Sequence, residues 1–217
     1  MKNPEVTLLL HGENLASYKP KLEDDKAELV DVIKTENPNY LFLVLKINPN
    51  ASSGLLNILL TGKQDDFNLN YKLEKRESRY KRVGISSADA IYLITPDRFS
   101  NGNKENDNAG GLLEKVNRNL PEGRHGGDIQ GIINKLDYIK DMGYTAIWSM
   151  PFLENNMASY SYHGYSITDL YNIDARFGGN EKFLEYVATA HSKGLKVIKD
   201  LVFNQVGSNH YWNQDLP

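Results

Sequence analysis

Apolar and polar positions alternate along the first third of the chain and then change rhythm. In residues 40–47, Leu41, Leu43, Leu45 and Ile47 alternate with Phe42, Val44 and Lys46. A period of two puts one set on each face of a strand. Residues 27–33 alternate less regularly. Residues 6–10 form an apolar run closed by His11-Gly12, and residues 55–60 form another after Asn48-Pro49-Asn50 and Ser52-Ser53-Gly54. Residues 71–73 read as a last short strand. Several short strands punctuated by turn residues predict a small β-sandwich. The charged run KLEKRESRYKR at 72–82 mixes both signs and reads as an exposed edge and linker.

From residue 88 onward strands alternate with helices. The apolar residues 90–93 predict a strand. Ile129, Ile132, Ile133, Leu136 and Ile139 share one face of a helix predicted over 129–142, with Asp128 as N-cap and Gly143 past its end. Residues 145–150 predict a second strand, stopped by Pro151. A second helix over 181–192 turns Phe183, Leu184, Val187 and His191 inward, with Asn180 as its cap and Gly194 as its terminator. The mostly apolar run 196–203 predicts a third strand in a sheet covered on both faces. This β-α-β-α-β order specifies a parallel sheet with right-handed crossovers. The two loops after the first and second strands, about 35 and 30 residues long, exceed the usual range and mark grafted function.

Composition narrows the function classes. Net charge is −3 over 217 residues, with both signs interspersed, so nothing points to nucleic acid or a membrane surface. The absence of cysteine excludes disulfides, zinc-thiolate sites and thiol nucleophiles. No apolar run approaches a membrane span, and the leucine run at residues 8–10 is too short for an export signal.

Three constellations carry chemistry. The loop after the first strand gathers Asn101, Asn103, Asn106, Asp107 and Asp128, the amide and carboxylate oxygens a hard cation such as calcium takes. The spacing is not that of an EF-hand, and Asn and Asp also serve as plain turn formers. Gly126-Gly127 lets backbone carbonyls face inward. The second constellation, SYSYHGY at 159–165, pairs aromatic rings with a histidine, a composition that suits the apolar faces and polar edges of sugars and equally suits packing under a loop. The third, DLVFN at 200–204, places a carboxylate after a parallel strand, where α/β barrels build their sites. No Ser-His-Asp triad, phosphate loop or His-Glu metalloprotease motif is present.

From Ala88 onward the chain resembles glycoside hydrolase family 13, the α-amylase family. The similarity is closest to its neopullulanase, cyclomaltodextrinase and maltogenic amylase branch. It rests on YLITPDRFSNGNKEND, HGGDIQGIINKLDYIKDMGYTAIW, YHGYSITDLYNIDARFGG and KVIKDLVFNQVGSNHYWNQDLP. A weaker similarity, in MKNPEVTLLLHGENL and NYLFLVLKI, links residues 1–86 to the sandwich domain that precedes the barrel in that branch.

The resemblance implies an immunoglobulin-like β-sandwich over 1–86 and the first three βα units of a (β/α)8 TIM barrel over 88–217. It implies a starch-derived α-glucan, pullulan or cyclodextrin as substrate and a retaining glycoside hydrolase activity. It implies calcium held by Asn101, Asn103, Asn106, Asp107, the Gly126 carbonyl and Asp128. His163, Tyr165 and Asp200 would line the subsite at the scissile bond, with Tyr165 stacking on the ring. Gln205 stands where the family has a sugar-binding histidine; it can donate and accept but carries no charge. The family's nucleophilic Asp, acid/base Glu and further Asp come from strands four, five and seven, so no catalytic residue is assigned here. Retaining hydrolysis needs two carboxyls about 5–5.5 Å apart. The resemblance therefore implies an N-terminal fragment, inactive alone, whose second part is poorly stable while the first folds independently. It also implies a homodimer and a periplasmic or secreted location for the full-length protein, with an export signal and a further strand before Met1. The alternative is a non-catalytic carbohydrate-binding protein on an amylase-like scaffold, and a third reading is a protein-interaction domain on such a scaffold.

Overall fold

The computed structural model describes residues 4–63, 65–75 and 84–217. They fall into two compact units, the second spanning Gly84–Asp215.

The first unit contains six antiparallel strands: β1 (Glu5–His11), β2 (Lys19–Leu22), β3 (Ala27–Lys34), β4 (Tyr40–Ile47), β5 (Gly54–Thr61) and β6 (Asp66–Leu73). They form two three-stranded sheets, ordered β1-β4-β3 and β2-β5-β6. Leu41, Leu43 and Leu45 of β4 meet Leu56, Ile58 and Leu60 of β5 in one core, all at most 1% exposed. Each such side chain contributes about 1.5–3 kcal/mol by burial. The expected sandwich is therefore present. The irregular alternation in β3 has a physical cause: pairing with β4 shifts between Leu29 and Asp31, a bulge that turns Val30 outward. Two strands differ from expectation. β2 was not predicted, because Pro20 and two lysines disguise an edge strand; proline is tolerated where no ladder partner needs its N–H. β6 starts at Asp66 rather than 71, since its alternating Asp66, Asn68 and Asn70 are exposed positions on an edge strand. Of the charged run at 72–82, residues 72–73 end β6 and residues 76–82 lie outside the described set.

The second unit holds three parallel strands, β7 (Ile91–Ile94), β8 (Ala146–Ser149) and β9 (Lys196–Lys199), in the order β7-β8-β9. A short helix α1 (Pro96–Phe99) follows β7. The helix predicted over 129–142 exists as α2 (Ile129–Ile133) and α3 (Leu136–Asp141), broken at Lys135, and α4 (Gly179–Ser192) joins β8 to β9. Asp128 caps α2 by accepting from the Gly131 N–H at 2.6 Å, and Gly143 leaves α3 at φ +89°. Ile129, Ile132, Leu136 and Ile139 are fully buried against Ile94 and Ile147.

Three expectations are corrected. In α4 the buried stripe is Phe183, Tyr186, Val187 and Ala190, whereas Leu184 and His191 are exposed; the helix begins two residues earlier, at Gly179, and its face is set by Tyr186. Asn180 does not cap α4 but accepts from the Ile173 N–H, tying the preceding loop to the helix. β9 ends at Lys199 rather than 203, because the Asp200 side chain turns to Trp148 and Tyr165 and the chain leaves the sheet.

The sheet is covered on one face, not two. Helices pack on Tyr92 and Ile94, while Ile91, Leu93 and Trp148 on the opposite face stay exposed. Among the described residues the far edge of β9 pairs with no strand. At the amino ends of the strands Asp89 accepts from Lys196 Nζ (2.7 Å) and Thr145 Oγ1 (2.9 Å). These bonds, led by that from Lys196, hold its carboxyl well below the usual range. Because the three strands are parallel, the segments that follow β7, β8 and β9 leave the sheet from the same end.

Candidate saccharide and cation sites

The loop after β7 folds around Asp128. Its Oδ1 accepts from the N–H groups of Gly102 and Gly131, and its Oδ2 from the Asn103 N–H and Asn106 Nδ2. Asn101 Nδ2 donates to Asp107 Oδ1 at 2.6 Å. The side-chain oxygens of Asn101 and Asn106 are buried and have no donor. Buried acceptors without partners are costly and rare. Gly126, at φ +84°, lies so close that a Cβ there would sit 2.6 Å from Asp107 Oδ1 and 2.8 Å from Asn101 Nδ2. Among the described residues no three or more His, Cys, Asp or Glu side chains gather as a metal centre. A cation here would therefore rest on the free amide oxygens of Asn101 and Asn106 and on the Asp107 carboxylate, oxygen donors of the kind a hard ion takes. Two members are otherwise engaged: the Asn103 oxygen accepts from the Glu105 N–H at 3.1 Å, and each Asp128 oxygen already accepts two donors.

The second site centres on Tyr165. Its backbone N–H donates to His163 Nδ1 (2.9 Å), its hydroxyl donates to Asp200 Oδ2 (3.0 Å), and its carbonyl accepts from Gln205 Nε2 (3.2 Å). Asp200 Oδ2 also accepts from Trp148 Nε1 at 3.1 Å. The loops after β8 and β9 thus bring His163, Tyr165, Asp200 and Gln205 to one place. The His163 and Tyr165 rings stack at 5.9 Å and 27°. Because Nδ1 accepts, His163 is held as the neutral ring with its proton on Nε2. Burial pulls its pKa below the ordinary value, with Glu114 pulling the other way. Burial, then the bond to Asp200, raises that of the Tyr165 hydroxyl. Gly164, at φ +80°, is required here because a Cβ would run into the Pro151 carbonyl.

A cleft of about 530 Å3 lies nearby, lined by Leu153, Leu170, Leu201, Val202 and Phe203. It meets the Tyr165 cluster only through Asn204 and Gln205. Its lining is mostly apolar, with Asn204 and Gln205 as its polar side chains, so the aromatic and carboxylate cluster is the better candidate for a sugar.

Several contributors were not singled out from sequence. Asp97, fully buried, accepts from the Gly126 and His125 N–H groups, and also from Arg98. Arg98 in turn lies 4.0 Å over the Tyr162 ring. Arg176 makes a paired bond to Asp174 and reaches the Glu114 and Asn155 carbonyls. Burial raises the pKa of Asp174, but the bonds and charge of Arg176 together with the charge of Arg124 more than offset it, and the net shift is downward. Arg124, 0% exposed, bridges Asp97 and Ser161. The usable signal was position: Arg124 immediately precedes HGGD, and Asp174 and Arg176 lie inside IDARFGG.

The profile of the α-amylase catalytic domain matches residues 93–216, and that of the cyclomaltodextrinase N-terminal domain matches residues 1–77. A cyclomaltodextrinase from Thermoanaerobacter pseudethanolicus is 43% identical over 128 residues, covering 58% of this chain and 21% of that protein. The β/α-amylase of Paenibacillus polymyxa is 49% identical over 123 residues, 56% of this chain and 10% of that protein. The crystal structure of an Anoxybacillus α-amylase aligns with a TM-score of 0.54 at 46% identity, covering 59% of this chain and 26% of that one.

In sequence order the chain thus carries a cyclomaltodextrinase-type N-terminal domain followed by the start of an α-amylase catalytic domain. The chain belongs to the α-amylase family, and within it resembles the branch that includes cyclomaltodextrinases and neopullulanases. It spans about a quarter or less of the length of these relatives. No helix among the described residues is long and apolar enough to cross a membrane, and one relative is a periplasmic α-amylase of Escherichia coli.

Proposed function

We propose that this chain supplies the saccharide-binding edge of an α-glucan-cleaving glycoside hydrolase. In this reading the Gly84–Asp215 unit is the opening of a (β/α)8 barrel and the first unit is an immunoglobulin-like domain. The observation that carries it is the convergence of His163, Tyr165, Asp200 and Gln205 through hydrogen bonds at the carboxyl ends of β8 and β9. A glucose ring offers a C–H face to Tyr165 and hydroxyls to the Asp200 carboxylate, His163 Nε2 and the Gln205 amide. The reacting carboxylates of a retaining mechanism would come from further strands, since a pair about 5–5.5 Å apart across the bond is required. Calcium, when bound, supplies a fixed charge that locks the loop after β7. Asn101, Asn106, Asp107 and the Gly126 carbonyl are its best-suited ligands, with Asp128 holding the loop and Asn103 at its rim. Assay of the complete protein on cyclodextrin and pullulan tests the reading: hydrolysis is expected, and a folded protein that cleaves neither would contradict it.

One observation favours the second reading, a carbohydrate-binding protein without turnover. Gln205 directs its amide donor to the Tyr165 carbonyl, where a histidine could have carried charge to the sugar. Calorimetric binding of maltooligosaccharide by the complete protein, without cleavage, would select it.

A further inference from the structure

We propose that Glu114 and Arg124 are positioning residues for the saccharide-facing turn, a role that rests on reading His163 and Tyr165 as sugar contacts. The turn Ser161–His163 is a single 3-10 turn with little support of its own. It is entered through Tyr160 at φ +58° and left through Gly164 at φ +80°, both left-handed. For a tyrosine that backbone is unfavourable, and it persists only where the surroundings over-determine it.

The surroundings are two charged side chains from the loop after β7. Glu114 Oε2 accepts from the Ser161 N–H at 2.7 Å. Arg124 Nη1 donates to the Ser161 carbonyl and hydroxyl at 3.4 and 3.3 Å. Every polar group of Ser161, itself fully buried, is thus held by a charge on another loop. Charge-assisted bonds are the stronger kind, and the short one from Glu114 is the better of the two.

Arg124 is held at some cost. Its Nε and Nη2 are buried without partners, and Asp97 Oδ1 stands off at 3.7 Å from Nε. A buried guanidinium with two idle donors is poorly explained by stability alone. Its place between Asp97 and Ser161 is explained by the turn it fixes. His163 Nδ1 in turn locks Tyr165 through the backbone N–H, so displacement at Ser161 moves both rings. Neither Glu114 nor Arg124 needs to touch the sugar.

The test compares Glu114→Gln with Glu114→Met in the full chain. Glutamine keeps an acceptor for the Ser161 N–H; methionine of similar length does not. Maltoheptaose affinity by calorimetry should fall roughly tenfold in Glu114→Met and change less than about twofold in Glu114→Gln. Without sugar, amide exchange over 161–165 should quicken in Glu114→Met only, with β8 unchanged. If Glu114→Met does not fold, Glu114→Ala takes its place with the same expectation. Unaltered affinity or exchange in the acceptor-less variant would overturn the proposal, as would equal losses in both variants. If the unsubstituted chain does not bind maltoheptaose while exchange still quickens, the sugar reading itself has failed and the positioning role falls with it.

Discussion

At the residue scale the account depends on Tyr165 and the groups that fix it. His163 must be neutral for its Nδ1 to accept from the Tyr165 N–H. Its folded pKa lies below the ordinary 6.5, chiefly through burial. A histidine with a depressed folded pKa binds fewer protons folded than unfolded, so its contribution is complete above the unfolded value and is lost as pH falls below it. Protonation of the folded ring removes the acceptor only below the ordinary histidine range, so maltooligosaccharide affinity should hold steady through that range and decline on further acidification. In His163→Asn that acid limb should disappear; a profile identical to the unsubstituted chain would refute the assignment. Asp200 leads to a second expectation. It joins Tyr165 and Trp148 at a partly exposed position, where water can replace a lost partner. Asp200→Ala should destabilise by only about 1 kcal/mol in denaturant unfolding yet weaken sugar binding by roughly tenfold. Matching small effects on both would deny Asp200 a role in the site.

At the element scale, periodicity carried most of the information. The β4 leucines and the α2–α3 isoleucines announce their buried faces because each repeats at the period of its element. α4 was misfaced because Leu184 and His191 fit the period while a larger residue, Tyr186, took the core, its hydroxyl pKa pushed up to about 12 by burial. β9 was overextended because Leu201, Val202 and Phe203 continue an apolar run that no longer pairs. The loops that carry the aromatic cluster and the side-chain oxygens were legible as residue types in order. Their Arg124, Glu114 and Asp97 supports were not, since they join loops far apart in sequence. Close packing makes a contrast between two glycines. A Cβ on Gly131 would collide with the Ser100 backbone carbonyl, whereas one on Gly143 meets open space and only the strain of φ +89°. Gly131→Ala should cost about 3 kcal/mol or more and Gly143→Ala about 1 kcal/mol, measured by thermal unfolding. Equal costs would mean that the α2 approach to residue 100 is looser than described.

At the scale of the whole molecule, the two units differ in how completely they are closed. The first has two sheets facing one core. The second leaves Ile91, Leu93 and Trp148 on an uncovered sheet face and β9 without a further partner among the described residues. Exposed apolar faces and open edges favour association. Calcium should act on this second unit. At a hundredfold excess over its dissociation constant, it should raise the unfolding temperature by roughly 5 °C or more, and Asn106→Leu should abolish the response. Magnesium, which dehydrates reluctantly, should substitute poorly. No shift with either ion would leave the orphaned Asn101 and Asn106 oxygens to ordered water.

The most direct measurement is a calorimetric titration of the chain with maltoheptaose, beside Tyr165→Ala and a cellohexaose control. The account predicts saturable binding of the α-linked glucan, weakened at least roughly tenfold by Tyr165→Ala at unchanged unfolding temperature, and none of the β-linked one. Binding that ignores Tyr165, or no binding by a folded chain, would contradict it.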